Sequence, residues 1–381
     1  KIITRRLYAI LGAGAFATAT ASVANLGREL SAHGRTSESL LDLSEPFEKS
    51  PLKNKSGCAR RMVALSAREL EIQGLLVLEH GEIVAEYSAI GEDVRLPIWS
   101  CTKTFTAVLL GVLIKDGYLS LEETLGEIFD YDPYDAIWGG IPDAESRKEL
   151  TVKSILTMTA GLSLPDDWLS DFMWPFDWGV FGGSSLVDSL GYHKLDPSRT
   201  NTYEYVWGGN LLSYIIVERA GMSPREFAEL KVFPLLGITK SDYDWQHNLD
   251  GISYAWHGIF ATTTVLAKLG MLYLQHGLAN ANDTIVDEAF VLDSTKGTVR
   301  NHKYGYGWFL FREEGVDPVY PERATRYYTG GLGATGVVID EDLGRVTAVV
   351  SNNYLPEELT EYVSLQLEEI VNDPECTFLE E

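Results

Sequence analysis

The chain has 381 residues, 45% hydrophobic and 23% charged, enough to bury a sizeable core in one large domain or two smaller ones. Its formal net charge of −24 repels nucleic acid and anionic membrane surfaces and argues against both as partners. The three cysteines, Cys58, Cys101 and Cys376, form neither a metal-ligand spacing nor a disulfide framework, although one Cys58–Cys376 bridge is open to an exported protein.

Three cations (Lys1, Arg5 and Arg6) head an apolar run of about fifteen residues, with small residues suited to cleavage behind it. This pattern predicts an export signal over residues 1–24 and a periplasmic or secreted protein that is free of the membrane once the signal is removed. Residues 25–60 are polar, have no clear period and read as an N-terminal extension. Two β-type runs, 75–79 and 83–87, then flank His80-Gly81, a two-residue hairpin signal. Helical patterns follow at 100–115, 151–158, 210–220, 224–230 and 264–275. A late hairpin is predicted from 335–339 and 346–351, and an amphipathic helix at 357–371.

Strands at both ends with helices between predict an α+β fold. One antiparallel sheet with flanking helices is built from both chain ends, and a mainly helical region is inserted in it. Residues 61–381 then form one domain, with its sheet part at 61–110 and 290–381 and its helical part at 111–289.

The stretch GLGATG at 331–336 has the G-x-G-x-x-G spacing of a dinucleotide site. That fingerprint needs a strand before it and a helix after it. Here VVID follows, then a turn, then another strand, so the glycines belong to a hairpin and no nucleotide cofactor is implied. The chain also lacks G-x-S-x-G, H-E-x-x-H and Walker patterns, which argues against an α/β-hydrolase, a zincin and a P-loop enzyme.

The strongest candidate for chemistry is WSCTKTF, in which Ser100 and Lys103 lie three apart at the head of a helix. Positions i and i+3 share a helix face, so the amine can reach the hydroxyl. A serine hydroxyl needs a neighbouring base before it is a good nucleophile. A lysine serves when desolvation lowers its pKa, and the apolar run after Lys103 fits a buried helix. Ser50 and Lys53 have the same spacing but no helical pattern behind them, so the spacing alone decides nothing.

The order of several segments decides more. WSCTKTF resembles the nucleophile helix of the serine β-lactamase and penicillin-binding superfamily, in particular its class C-like branch of β-lactamases, esterases, D-amino-acid peptidases and nylon-oligomer hydrolases. ELTVKSILTMTAGL resembles a segment that usually reads T-x-x-x-L-L-x-H-T-S-G-L, with Met158 for the histidine and Ala160 for the serine. GIFATTTVLAKLG resembles the family's later helix start, and YGYGWF at 304–309 the strand before its last motif. The resemblance spans about residues 70–370.

It implies a β-lactamase-like fold and a role for each matching position. Tyr205 falls at the tyrosine of the Y-x-N or Y-x-S motif, with Tyr203 as runner-up, and Trp207 takes the third motif position. Tyr328, Thr329 and Gly330 fall at the K-T-G or H-T-G motif, and Gly331 follows. The N–H groups of Ser100 and Gly331 would form the oxyanion hole. Tyr328 cannot supply the positive charge that lysine brings there, which disfavours a β-lactam carboxylate and favours esters or linear amides. His257 is a further pocket candidate, although a lone histidine is more often structural. The aromatic run 165–183 reads equally as a pocket wall and as a packed insertion.

The resemblance implies a serine hydrolase of a small-molecule substrate with no metal or cofactor: Ser100 as nucleophile, and Lys103 and Tyr205 sharing the proton work. A β-lactamase or D-amino-acid peptidase is the nearest alternative. A catalytically inactive binding or sensing domain is the other.

Overall fold

The computed structural model describes residues 40–50, 67–68, 71–91, 94–130, 138–163, 185–191, 193–206, 210–297, 303–311 and 323–353. The predicted export signal, both outer cysteines, the aromatic run 165–183, Trp207 and the helix at 357–371 lie outside them. The chain divides after Leu40, and every element below belongs to the unit that begins at Leu41.

The main sheet is antiparallel and has the order β2-β1-β11-β10-β9-β8. It joins β1 (Gly74–Glu79) and β2 (Glu82–Ser88) to β8 (Phe309–Leu310), β9 (Arg326–Gly331), β10 (Thr335–Asp340) and β11 (Arg345–Val350). Both chain ends therefore build one sheet, as the sequence predicts. His80 and Gly81 have φ 49° and 84°, the doubly positive backbone of a two-residue hairpin turn that matches strand twist. A small sheet of β3 (Leu96–Pro97), β7 (Ile259–Ala261) and β6 (Tyr243–Trp245) adjoins it in sequence, and β4 (Leu162–Ser163) pairs with β5 (Lys194–Leu195).

The longer helices are α1 (Thr102–Lys115), α2 (Leu211–Ala220), α3 (Pro224–Lys231) and α4 (Thr263–Leu274). Every residue of α1 from Thr102 to Leu113 is buried, so this helix is a core element and not a surface one. Helices α2 and α3 pack against it. Ser223 and Glu226 form a capping box at the start of α3, with Pro224 at its first position. Helix α4 lies on β11, β10 and β1.

Two expectations change. Residues 41–50, read as part of an extension, pack on the domain: Leu43 is fully buried, and the Lys268 ammonium holds the carbonyls of Leu43 and Glu45. The apolar residues here, Leu40, Leu41, Leu43 and Phe47, follow neither a helical nor a strand period, so no periodicity marks the segment. The GLGATG glycines fall in a hairpin, as expected: they end β9, make the turn and enter β10. The segment 304–309 is not a continuous strand: Tyr304 makes a single bridge to Phe309, bends follow at Tyr306 and Gly307, and the strand begins only at Phe309.

Candidate active site

Ser100 does not sit in an α-helix. It is the middle residue of a 3₁₀ turn, Trp99–Cys101, which runs straight into α1. Trp99 before it has φ 47°, a left-handed backbone that a bulky residue rarely adopts and that marks stored strain. The tighter turn brings Lys103 Nζ to 2.7 Å from Ser100 Oγ. The same Nζ lies 3.2 Å from the Trp256 carbonyl oxygen, and Lys103 is only 7% exposed. Two acceptors therefore fix the amine in a buried setting.

Beside it, a small crevice is lined by Lys103, Met158, Leu212, Ala255, Trp256 and Tyr304, among others, and its walls are mainly apolar. Met158, standing where the resemblance has histidine, is one of those walls. The segment 255–256 is tied down from two sides. Thr106 of α1 donates to the Ala255 carbonyl at 2.7 Å, and the Ala255 N–H donates to Asn210 Oδ1 at 3.3 Å.

Strand β9 closes the other side. A Cβ added to Gly331 would lie 2.3 Å from the Ile98 carbonyl oxygen and 3.1 Å from Trp99 Cβ, so this strand end presses directly on the backbone that carries Ser100. Two residues earlier on the same face, Thr329 points the same way. Its hydroxyl lies 2.7 Å from that of Thr104, which in turn donates to the Gly307 carbonyl at 2.9 Å. Thr329 is 2% exposed, so its hydroxyl serves the strand–helix joint. Gly307 has φ 81°, and a Cβ there would meet the Thr104 Cα at 3.1 Å, which explains the glycine at this joint.

Tyr205 also reaches Lys103: Nζ lies 5.1 Å from the centre of its ring. The segment that carries it is held by the Glu204 N–H donating to the Met158 carbonyl and by the Arg199–Glu204 ion pair. Tyr203 instead packs on Tyr304, with ring centres 5.8 Å apart. Between the two motif candidates, Tyr205 is the one whose ring meets the amine.

Tyr328 and Gly330 alternate to the opposite side of β9 from Thr329. The Tyr328 ring lies between Phe309, at 5.0 Å and 18°, and Phe311, at 4.9 Å and 39°. His257 is buried, with its ring 3.8 Å from that of Trp256 and 4.7 Å from that of Tyr254. It thus packs beside the residue whose carbonyl meets Lys103. Next to Ser100, burial pushes the Cys101 thiol up to about 12, so it stays a protonated, poorly nucleophilic thiol near neutral pH. Among the described residues, no group of three or more His, Cys, Asp or Glu side chains could hold a metal ion.

The structure therefore brings together Ser100, Lys103, Tyr205 and Gly331, and sets Thr329 and His257 behind them as supports. Thr104, Thr106, the Trp256 carbonyl and Phe309 also belong to the arrangement. The run of threonines in TKTFT, polar at positions of an otherwise apolar buried helix, is the one sequence signal for the first two.

Solved structures share this fold. A protein from Bacillus anthracis assigned as a 6-aminohexanoate-dimer hydrolase superposes with a TM-score of 0.62 at 17% identity, over 82% of this chain and 81% of that one. EstCE1, a hydrolase with promiscuous acyltransferase activity, gives 0.60 at 13% identity, over 83% and 98%. A class C β-lactamase gives 0.58 at 16% identity, over 82% and 95%. Among curated protein sequences none matches at significance. A family model described as Beta-lactamase matches residues 62–369, and the chain accordingly belongs to the β-lactamase family of serine hydrolases.

Proposed function

We propose that the protein cleaves an ester or linear amide bond of a small molecule through an acyl-enzyme on Ser100. The observation that carries this reading is the 2.7 Å approach of Lys103 Nζ to Ser100 Oγ in a strained turn. Ser100 Oγ attacks the substrate carbonyl carbon while its proton passes to the Lys103 amine, with Tyr205 sharing the proton work. The N–H groups of Ser100 and Gly331 take the developing oxyanion, and a fixed donor of this kind is worth about 3 kcal/mol. The bond to the leaving group then breaks, and the departing alcohol or amine takes a proton by way of Tyr205. Water attacks the acyl-enzyme under the same base, releasing the acid and restoring the Ser100 hydroxyl. The cycle balances with water as the only co-substrate.

Position 328 supports esters and linear amides over β-lactams, because a tyrosine there offers no cation to a substrate carboxylate near neutral pH. The names of two structural neighbours, a 6-aminohexanoate-dimer hydrolase and a hydrolase with acyltransferase activity, point the same way. The basic-headed apolar segment over residues 1–24 supports export as the setting for this activity.

The test pairs wild type with Ser100→Ala on a short-chain p-nitrophenyl ester and on a chromogenic cephalosporin. A Ser100-dependent ester burst without cephalosporin turnover is the expected result. Cephalosporin turnover would move the assignment to a β-lactamase. Equal activity of Ser100→Ala and wild type would remove Ser100 as nucleophile and favour the binding-domain alternative.

A further inference from the structure

We propose that Phe309 and Tyr328 are positioning residues, which hold Tyr205 against Lys103 as the inner rungs of one aromatic stack.

The stack can be followed ring by ring. Lys103 Nζ lies over Tyr205 at 5.1 Å. Tyr205 stacks on Phe309 at 5.8 Å and 25°, and Phe309 stacks on Tyr328 at 5.0 Å and 18°. Tyr328 meets Phe311 at 4.9 Å, and the Arg326 guanidinium covers Phe311 at 5.0 Å. Four rings thus lie in sequence, with the Lys103 amine at one end and the Arg326 guanidinium at the other, 3.7 Å from the Asp340 carboxylate.

Phe309 and Tyr328 are also direct cross-strand partners in the β8–β9 pairing, which fixes their register through backbone hydrogen bonds. Tyr205 comes from a different part of the chain, the irregular segment after Thr200, which has no strand or helix to orient it. The near-parallel rings supply that orientation from the sheet. Tyr304 closes the edge, meeting Tyr205 at 89° and Phe309 at 75°. The tyrosine at 328 gains a reason in this arrangement: a lysine there would remove a rung.

This inference rests on the reading of Tyr205 as the group that protonates the leaving group. Loss of that step harms substrates with poor leaving groups far more than activated ones, and this separates positioning from general damage. The experiment compares an alkyl ester with a p-nitrophenyl ester in full-length Phe309→Leu and Tyr328→Leu, with Phe309→Tyr and Tyr328→Phe as rescues. Tyr205→Phe and the double variant Tyr205→Phe/Phe309→Leu complete the set.

The expected result is a drop in kcat for the alkyl ester of about 10-fold to 100-fold in the leucine variants, with KM nearly constant. The p-nitrophenyl burst is retained, the aromatic variants recover the loss, and Phe309→Leu adds nothing once Tyr205 is phenylalanine. Equal losses on both esters, no loss on either, or a further loss in the double variant would overturn the proposal. An alkyl-ester rate unaffected by Tyr205→Phe alone would overturn the Tyr205 assignment and the stack's role with it, while leaving Ser100 and Lys103 untouched.

Discussion

Lys103 reaches Ser100 across the seam between a 3₁₀ turn and an α-helix, with 2.7 Å between Nζ and Oγ. That distance suits the proposed transfer of the serine proton to a neutral amine, and the Trp256 carbonyl at 3.2 Å fixes the amine from the other side. Lys103→Met should lower kcat/KM for a p-nitrophenyl ester by about 10²-fold to 10⁴-fold, the usual contribution of a positioned base. Lys103→Arg should fall as far although it keeps a basic side chain, because a guanidinium does not give up its proton. Activity of Lys103→Arg within about threefold of wild type would remove Lys103 as the base.

Gly331 has no room for a side chain. Its Cβ would lie 2.3 Å from a backbone oxygen, which cannot swing aside as a side chain would. Gly331→Ala should push the end of β9 off the turn that carries Ser100 and move the Gly331 N–H out of the oxyanion position proposed for it. The expected loss in kcat is about 10²-fold to 10³-fold, that of one oxyanion donor. Gly330→Ala is the control, since a Cβ there meets nothing closer than 3.7 Å. Similar losses in both variants would point to general disruption of the strand instead.

The sheet built from both chain ends is legible in the sequence because hairpins are local: His80-Gly81 and the turn before Gly344 announce themselves between alternating runs. Ser100 and Lys103 are legible for the same reason, being three apart on one turn. What Thr329 does is not. Alternation says that Thr329 and Tyr328 face opposite ways, but only the packing of β9 against the nucleophile turn says which way is which. The stack of Tyr205, Phe309 and Tyr328 joins segments more than 100 residues apart, and no local pattern encodes such a contact.

Thr104 links helix and strand through one hydroxyl, bonded both to Thr329 and to the Gly307 carbonyl. Thr104→Val keeps the shape and removes the hydroxyl, leaving two buried polar partners short of a hydrogen bond. Urea unfolding should show a loss of about 1–3 kcal/mol. Thr104→Ser keeps the hydroxyl and should recover the hydrogen-bonding part of that loss. A Thr104→Val variant as stable as wild type would mean that the joint between α1 and β9 does not depend on this bond.

His193 lies away from these residues and makes stability depend on pH. It is buried, and its carbonyl accepts from Arg147 Nη2 at 2.6 Å. Burial, and secondarily the Arg147 charge, pulls its pKa from 6.5 down to about 3. Between those values the unfolded chain binds a proton that the folded protein refuses, so stability falls as pH drops below 6.5. The contribution is on the order of 2 kcal/mol by roughly pH 5. His193→Leu cannot take up that proton in either state. Whatever the substitution does to stability at pH 8, the variant should lose less stability than wild type between about pH 7 and pH 5. Carboxylates that titrate in the same range are common to both proteins and cancel in the comparison. Urea midpoints at the two pH values give the difference directly, and parallel losses would show that His193 protonates in the folded protein at an ordinary pKa.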